Sequence, residues 1–173
     1  MITYRQALPT DIELIAQLHA RSWQHAYQGI LTDAFLGGAI LDDRRAVWQE
    51  RLATPADNQY ILTAVEDDKL IGFVCVFCDH DEQWGSLVDN LHVSRELKGR
   101  GIGTELLRGA ARWVRQTSVH PSLHLWVFEQ NLAARRFYAY LGGEPVEQTV
   151  KNNPGGGNAV SLRYVWRDTA VLV

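Results

Sequence analysis

Hydrophobic positions along the chain recur every second residue in short runs and every third or fourth in longer ones. That rhythm predicts most of the elements. "ITYRQA" alternates and predicts a first strand. "PTDIELIAQLHARSWQHA" follows, with Ile15, Leu18 and Ser22 on one helical face and Leu14 beside it. Thr10, with Glu13 three residues later, predicts a capping box at its start. "LDDRRAVWQERLAT" predicts a second helix, acidic where the helix dipole favours it. "QYILTAVE" and "KLIGFVCVFC" are apolar runs divided by Asp67 and Asp68, which predicts a hairpin. "SLVDNLHV" predicts a fourth strand. Beyond the glycine-rich "KGRGIGTELL", Leu106, Leu107, Ala110, Trp113 and Val114 form a helical stripe. "LHLWVF" predicts a fifth strand. "NLAARRFYAYL" predicts a helix with Ala134, Phe137, Tyr138 and Leu141 on one side, stopped by Gly142 and Gly143. A strand, the loop "KNNPGGGN" and the strand "AVSLRYVW" come last.

No repeat or linker divides this order, so residues 1–173 are read as one domain. The early hairpin suggests α+β, while residues 87–128 form a βαβ unit whose crossover makes strands four and five parallel. The expected fold is therefore mixed α/β, with one sheet covered by helices.

Composition narrows the function. With 17 basic and 20 acidic side chains the net charge is −3, which gives no general attraction to nucleic acid or to an anionic membrane. The 46% hydrophobic and 21% charged shares are ordinary globular values. No apolar run reaches bilayer length, and "MITYRQALPTD" lacks the layout of a secretory signal, so a soluble cytoplasmic protein is expected. Cys75 and Cys78 form a CxxC inside an apolar strand, where residues three apart face opposite sides. They are read as packing thiols, and no metal is expected.

Gly99, Gly101 and Gly103 stand directly before a helical pattern. Successive N–H groups in such a loop converge on an anion, and the helix N-terminus adds about half a positive charge. Lys98 and Arg100 add whole charges. The stretch suits a phosphate or pyrophosphate, although a flexible turn with a cap has the same spacing. A dinucleotide fingerprint needs G-x-G-x-x-G, and a P-loop needs Lys where Thr104 stands; neither matches.

"LHVSRELKGRGIGTELL" does closely resemble the GNAT-type N-acetyltransferases, whose motif is a strand, then R/Q-x-x-G-x-G/A, then a helix. "LWVFEQNLAARRFYAYLGG" resembles the same family's strand, N-x-x-A-x-x-x-Y helix and terminal glycine. Together they cover about residues 85 to 143, with Lys98 where Arg or Gln is usual. The resemblance implies a mostly antiparallel sheet whose parallel strands four and five splay apart to receive acetyl-CoA. By resemblance, the backbone of Lys98, Gly99, Arg100, Gly101, Ile102, Gly103 and Thr104 cradles the coenzyme's pyrophosphate. Leu91, His92 and Val93 meet its pantetheine arm, and Asn131 binds the same arm or simply caps its helix.

The implied reaction moves an acetyl group from acetyl-CoA to a primary amine by direct attack. A lysine-type amine costs about 4–5 kcal/mol to deprotonate at pH 7, and an α-amine about 1. Tyr138 stands in the family's tyrosine place as general acid for the departing thiolate, and the Val93 N–H is the position for the oxyanion. Asp89, assigned by period two to the face of Leu91 and Val93, is the candidate base, with solvent as the alternative. His92 has the chemistry but the opposite parity unless a bulge intervenes. Trp126 occupies the place of a strand-five glutamate that serves as base in ribosomal-protein N-terminal acetyltransferases. Trp23, Tyr27 and Trp84 are expected to wall the acceptor pocket with His25 as a polar handle, and "PGGG" to be a lid or a loose hairpin. The acceptor is a small-molecule or peptide amine. A homodimer is compatible with the family. The alternative reading is a non-catalytic acyl-CoA-binding sensor or interaction module.

Overall fold

The structure is a computed structural model that describes residues 1–153 and 158–173, with Lys151 described for its backbone alone. The "PGGG" stretch, residues 154–157, lies outside the described residues.

β1 (Ile2–Gln6) leads into a short 3-10 turn (Pro9–Asp11) and α1 (Ile12–Ala26). The expected Thr10 cap is not formed. The carboxylate of Asp11 accepts the Leu8 N–H at 2.7 Å and both terminal nitrogens of Arg5, at 2.7 and 2.9 Å. A buried carboxylate with three charge-assisted bonds outcompetes a hydroxyl cap. Glu13 turns instead to Arg45 on α2 (Ile40–Ala53), which a π-helical turn (Phe35–Ala39) precedes.

β2 (Gln59–Glu66) and β3 (Lys69–Asp81) form the expected hairpin. Asp67 and Asp68 both take positive φ, 50° and 61°, the backbone of a two-residue turn whose twist matches its strands. β4 (Gly85–Val93), α3 (Ile102–Thr117), β5 (Leu123–Phe128), α4 (Leu132–Tyr140), β6 (Glu144–Asn152) and β7 (Asn158–Trp166) complete the order. The sheet runs β1-β2-β3-β4-β5-β7-β6, antiparallel throughout except for the parallel β4–β5 pair. This is the mixed, mostly antiparallel sheet expected.

Each face of the sheet buries its own layer. On one side α3 and α4 set Leu106, Leu107, Ala110, Val114 and Phe137 against Val74, Val76, Val88, Leu123 and Leu125. On the other, α1 and α2 set Ile15, Ala16 and Trp48 against Ile61, Phe73 and Cys75. Fully burying one such aliphatic side chain contributes about 1.5–3 kcal/mol. Cys75 and Cys78 are both buried and free, and burial pushes the Cys75 thiol up to about 12, as packing thiols require. Among the described residues no helix is long and apolar enough to cross a membrane.

Candidate active site

β4 and β5 pair only at Ser86–Leu123 and Leu87–His124. Beyond that point β4 stays with β3 and β5 stays with β7, so the sheet opens. The edge left on β4 follows from its ladder. Ser94 N–H donates to Ile71 C=O at 2.8 Å, which makes Gly72–Val93 a non-hydrogen-bonded pair. In an antiparallel ladder the N–H and C=O of such a residue point away from the partner strand. Val93, and Leu91 two residues earlier, therefore aim their backbone groups into the gap. His92 does not: its backbone pairs with Phe73, and of the expected trio only Leu91 and Val93 offer a free edge.

The glycine turn ends this edge. Gly99 and Gly101 have φ of 85° and 79°, and a Cβ at either would meet nothing within 4 Å. Packing does not demand glycine there; backbone conformation does. The N–H groups from Gly99 to Thr104 have no partner among the described residues, and Glu105 N–H is the first to close on Gly101 C=O, at 3.0 Å. Six successive free donors at a helix N-terminus form a cradle that fits a pyrophosphate. The charges divide, however. Arg100 is held by both oxygens of Glu66, at 2.8 and 2.9 Å, while Lys98 is exposed beside the turn. Asn131 accepts the Ala134 N–H at 3.2 Å, the ordinary cap of α4.

On the α1 side, rings bridge the opening. His92 of β4 lies 4.5 Å from His19, His19 lies 4.9 Å from Trp23, and Trp23 lies 5.4 Å from Tyr27. Tyr27 meets Phe128 of β5 edge-on at 4.8 Å. The five rings form an arc from one splayed strand to the other. On the opposite face Tyr138 is buried against Phe137, Tyr164 and Trp166. Burial raises its pKa, and Tyr27 raises it further. Tyr138 therefore stays protonated across the neutral range.

Several expected placements are corrected. In β4, Cys75 pairs with Asn90 and Val76 with Val88, leaving Asp89 as an extra residue in a bulge. The bulge shifts the pleat by one. Asp89 consequently leaves the face of Leu91 and Val93, and its carboxylate meets Arg51 of α2 at 2.7 Å. His92 keeps the expected parity opposite to Leu91 and Val93, and its ring lies on the α1 face against His19 and Phe73. Trp84 is not joined to Trp23 and Tyr27 by ring contact. Its N–H is held by Asp81 at 2.9 Å, and its ring stands 5.5 Å from the Arg163 guanidinium, which also covers Trp126 at 4.5 Å. His25 is exposed, with Nδ1 3.3 Å from Arg95, outside the arc. A surface groove of about 570 Å³ between α1 and the β2–β3 turn is lined at its far end by Ser94, Glu96 and Leu97, and by none of the five rings of the arc.

Four participants had no place in the sequence reading: His19, Arg44, Arg51 and Phe128. His19 follows Ile15 by four residues, so the helical stripe carried a signal for it. Arg44 and Arg51 stand on a helix whose apolar face is slight, and nothing in their spacing marks them.

The family model described as Acetyltransferase (GNAT) family matches residues 15–142. The chain is 26% identical over 142 residues to YuaI of Bacillus subtilis, an uncharacterised N-acetyltransferase, covering 81% of this chain and 79% of that one. PaiA N-acetyltransferase from Thermoplasma acidophilum, in complex with coenzyme A, superposes with a TM-score of 0.72 at 21% identity, covering 94% of this chain and 98% of that one. NAA60 of Arabidopsis thaliana in complex with acetyl-CoA gives 0.71 at 19% identity over 96% and 98%. The chain thus shares its overall fold with these structures, and it belongs to the GNAT family of acetyltransferases.

Proposed function

We propose that this protein transfers the acetyl group of acetyl-CoA to a primary amine by direct attack within a ternary complex. The observation that carries the reading is the free β4 edge at Leu91 and Val93 running into six unpartnered N–H groups from Gly99 to Thr104. An extended amide arm ending in a pyrophosphate matches that series of donors and acceptors in order. The arm adds to the strand as a peptide would, while the turn and the start of α3 take the negative charge.

The transfer forms a C–N bond, breaks the C–S bond, and leaves a thiolate that needs a proton. Tyr138 supplies it: its hydroxyl has no hydrogen-bond partner among the described residues, burial keeps it protonated, and the same burial makes the thiolate leaving beside it more basic than a thiolate in water. The Val93 N–H points into the gap, where it donates to the oxyanion. Asp89 is poorly placed as base, because the bulge takes its carboxylate off the face of Leu91 and Val93 and onto Arg51 of α2. The amine proton passes to solvent instead. Cys75 lies on β3 with its thiol pushed up by burial, so a covalent acetyl-enzyme has no support.

The test is incubation with acetyl-CoA and a mixture of primary amines, followed by mass spectrometry. A product heavier by one acetyl group, formed with stoichiometric release of thiol, is expected. Binding of acetyl-CoA with no acetylated product would favour a sensor and overturn the reading.

A further inference from the structure

The ring arc carries polar atoms that packing alone does not require. His19 is fully buried, and its Nδ1 accepts the Trp48 indole N–H at 3.0 Å. That bond fixes the tautomer: Nδ1 is the acceptor, so in the neutral ring the proton sits on Nε2. His19 Nε2 is buried without a hydrogen-bond partner among the described residues. The His19 ring is packed among Trp48, Trp23 and His92. A buried unmet donor costs about 1–3 kcal/mol, which a ligand acceptor would offset.

Arg44 stands over Trp23, its guanidinium carbon 4.4 Å from the ring centroid, and only 8% of the residue is exposed. Its Nε and Nη2 both donate to Asp43, leaving Nη1 with no partner among the described residues. Both nearby cations are ion-paired, Arg44 with Asp43 and Arg51 with Asp89, so what Arg44 still offers is its Nη1 donor. Both histidines are pushed down, first by burial and then by positive neighbours, Arg44 among them in each case; no carboxylate offsets it. The arc therefore combines two unused donors, Arg44 Nη1 and His19 Nε2–H, with aromatic rings. Such a lining disfavours an ammonium group and favours an anionic acceptor of hydrogen bonds.

We propose that the acceptor amine carries a carboxylate, as amino acids do, and that Arg44 Nη1 and His19 Nε2–H receive that carboxylate at the arc while the amine faces the gap. The assignment rests on the acetyltransferase reading and names its substrate class. Arg44 is then a specificity residue that contacts substrate, and Trp48 is a positioning residue that acts through the His19 tautomer.

The experiment measures kcat/KM for matched acceptors: amino acids, their amides, and the amines left when the carboxylate is removed. A charge-assisted hydrogen bond of this kind corresponds to a preference of about 10- to 150-fold for the carboxylated member. In Arg44→Gln the ratio should fall to within about threefold of unity, and Arg44→Lys should restore part of it. Equal or better rates for the decarboxylated amines with the unaltered protein overturn the proposal even if neither variant folds. So does a preference that survives Arg44→Gln. If no member of the panel is acetylated the proposal also falls, and calorimetric binding of acetyl-CoA then tells whether the transferase reading falls with it.

Discussion

Leu87 and His124 are the last residues at which β4 and β5 pair, and the site depends on their separation beyond that point. The backbone of Leu91 and Val93 is left open, the glycine turn stands at the end of the exposed edge, and Tyr27 and Tyr138 belong to the layers on opposite faces of the sheet.

Replacing Gly101 separates conformation from packing. A Cβ there meets nothing, yet φ of 79° strains any L side chain, at a cost on the order of 1–2 kcal/mol. Gly101→Val is expected to weaken acetyl-CoA binding by at least about tenfold in calorimetry while lowering the unfolding temperature only modestly. Unchanged affinity in a folded variant would remove the turn from the coenzyme site.

Tyr138→Phe removes one oxygen from a buried ring. Where chemistry limits the rate, kcat should fall by about 10²–10⁴-fold with acetyl-CoA affinity preserved. A kcat that does not change would end the acid assignment.

Asp89→Asn tests the bulge. With the carboxylate committed to Arg51, the substitution should change kcat/KM by less than about fivefold. A loss beyond a hundredfold would return Asp89 to the role of base.

His19 and His92 make stability pH-dependent. Burial, then Lys98 and Arg44, pushes His92 from its ordinary 6.5 down to about 3, and His19 also lies well below its ordinary value. Between those values the unfolded chain takes up protons that the folded chain refuses. Stability is therefore full above about pH 6.5 and falls as pH drops toward 3, by at most about 1.4 kcal/mol per pH unit for each histidine. Urea unfolding at pH 7 and pH 5.5 should show the loss, and His92→Phe should lessen it. Stability that rises on acidification would contradict this.

The order of elements was readable because each run keeps one period, from "QYILTAVE" to the Leu106–Val114 stripe. The glycine turn was readable because positive φ selects residue type. The Asp89 bulge was not, since period-two reasoning assumes an unbroken pleat and a bulge leaves no residue signature here. That one residue took Asp89 off the face of Leu91 and Val93, while His92 kept its expected opposite parity. Trp84 was misplaced for a different reason: its partner Arg163 lies 79 positions away on β7, and only the sheet order brings them together. Asp11 displaced Thr10 as the organiser of α1 through Arg5, a pairing that needs β1 already docked.

The central claim is that the gap between β4 and β5, with the glycine turn, holds acetyl-CoA. Calorimetric titration of acetyl-CoA into the purified protein, with NAD as control, tests it most directly. One equivalent of acetyl-CoA bound, with no heat from NAD, is the predicted result. A folded sample that binds no acetyl-CoA would contradict the account.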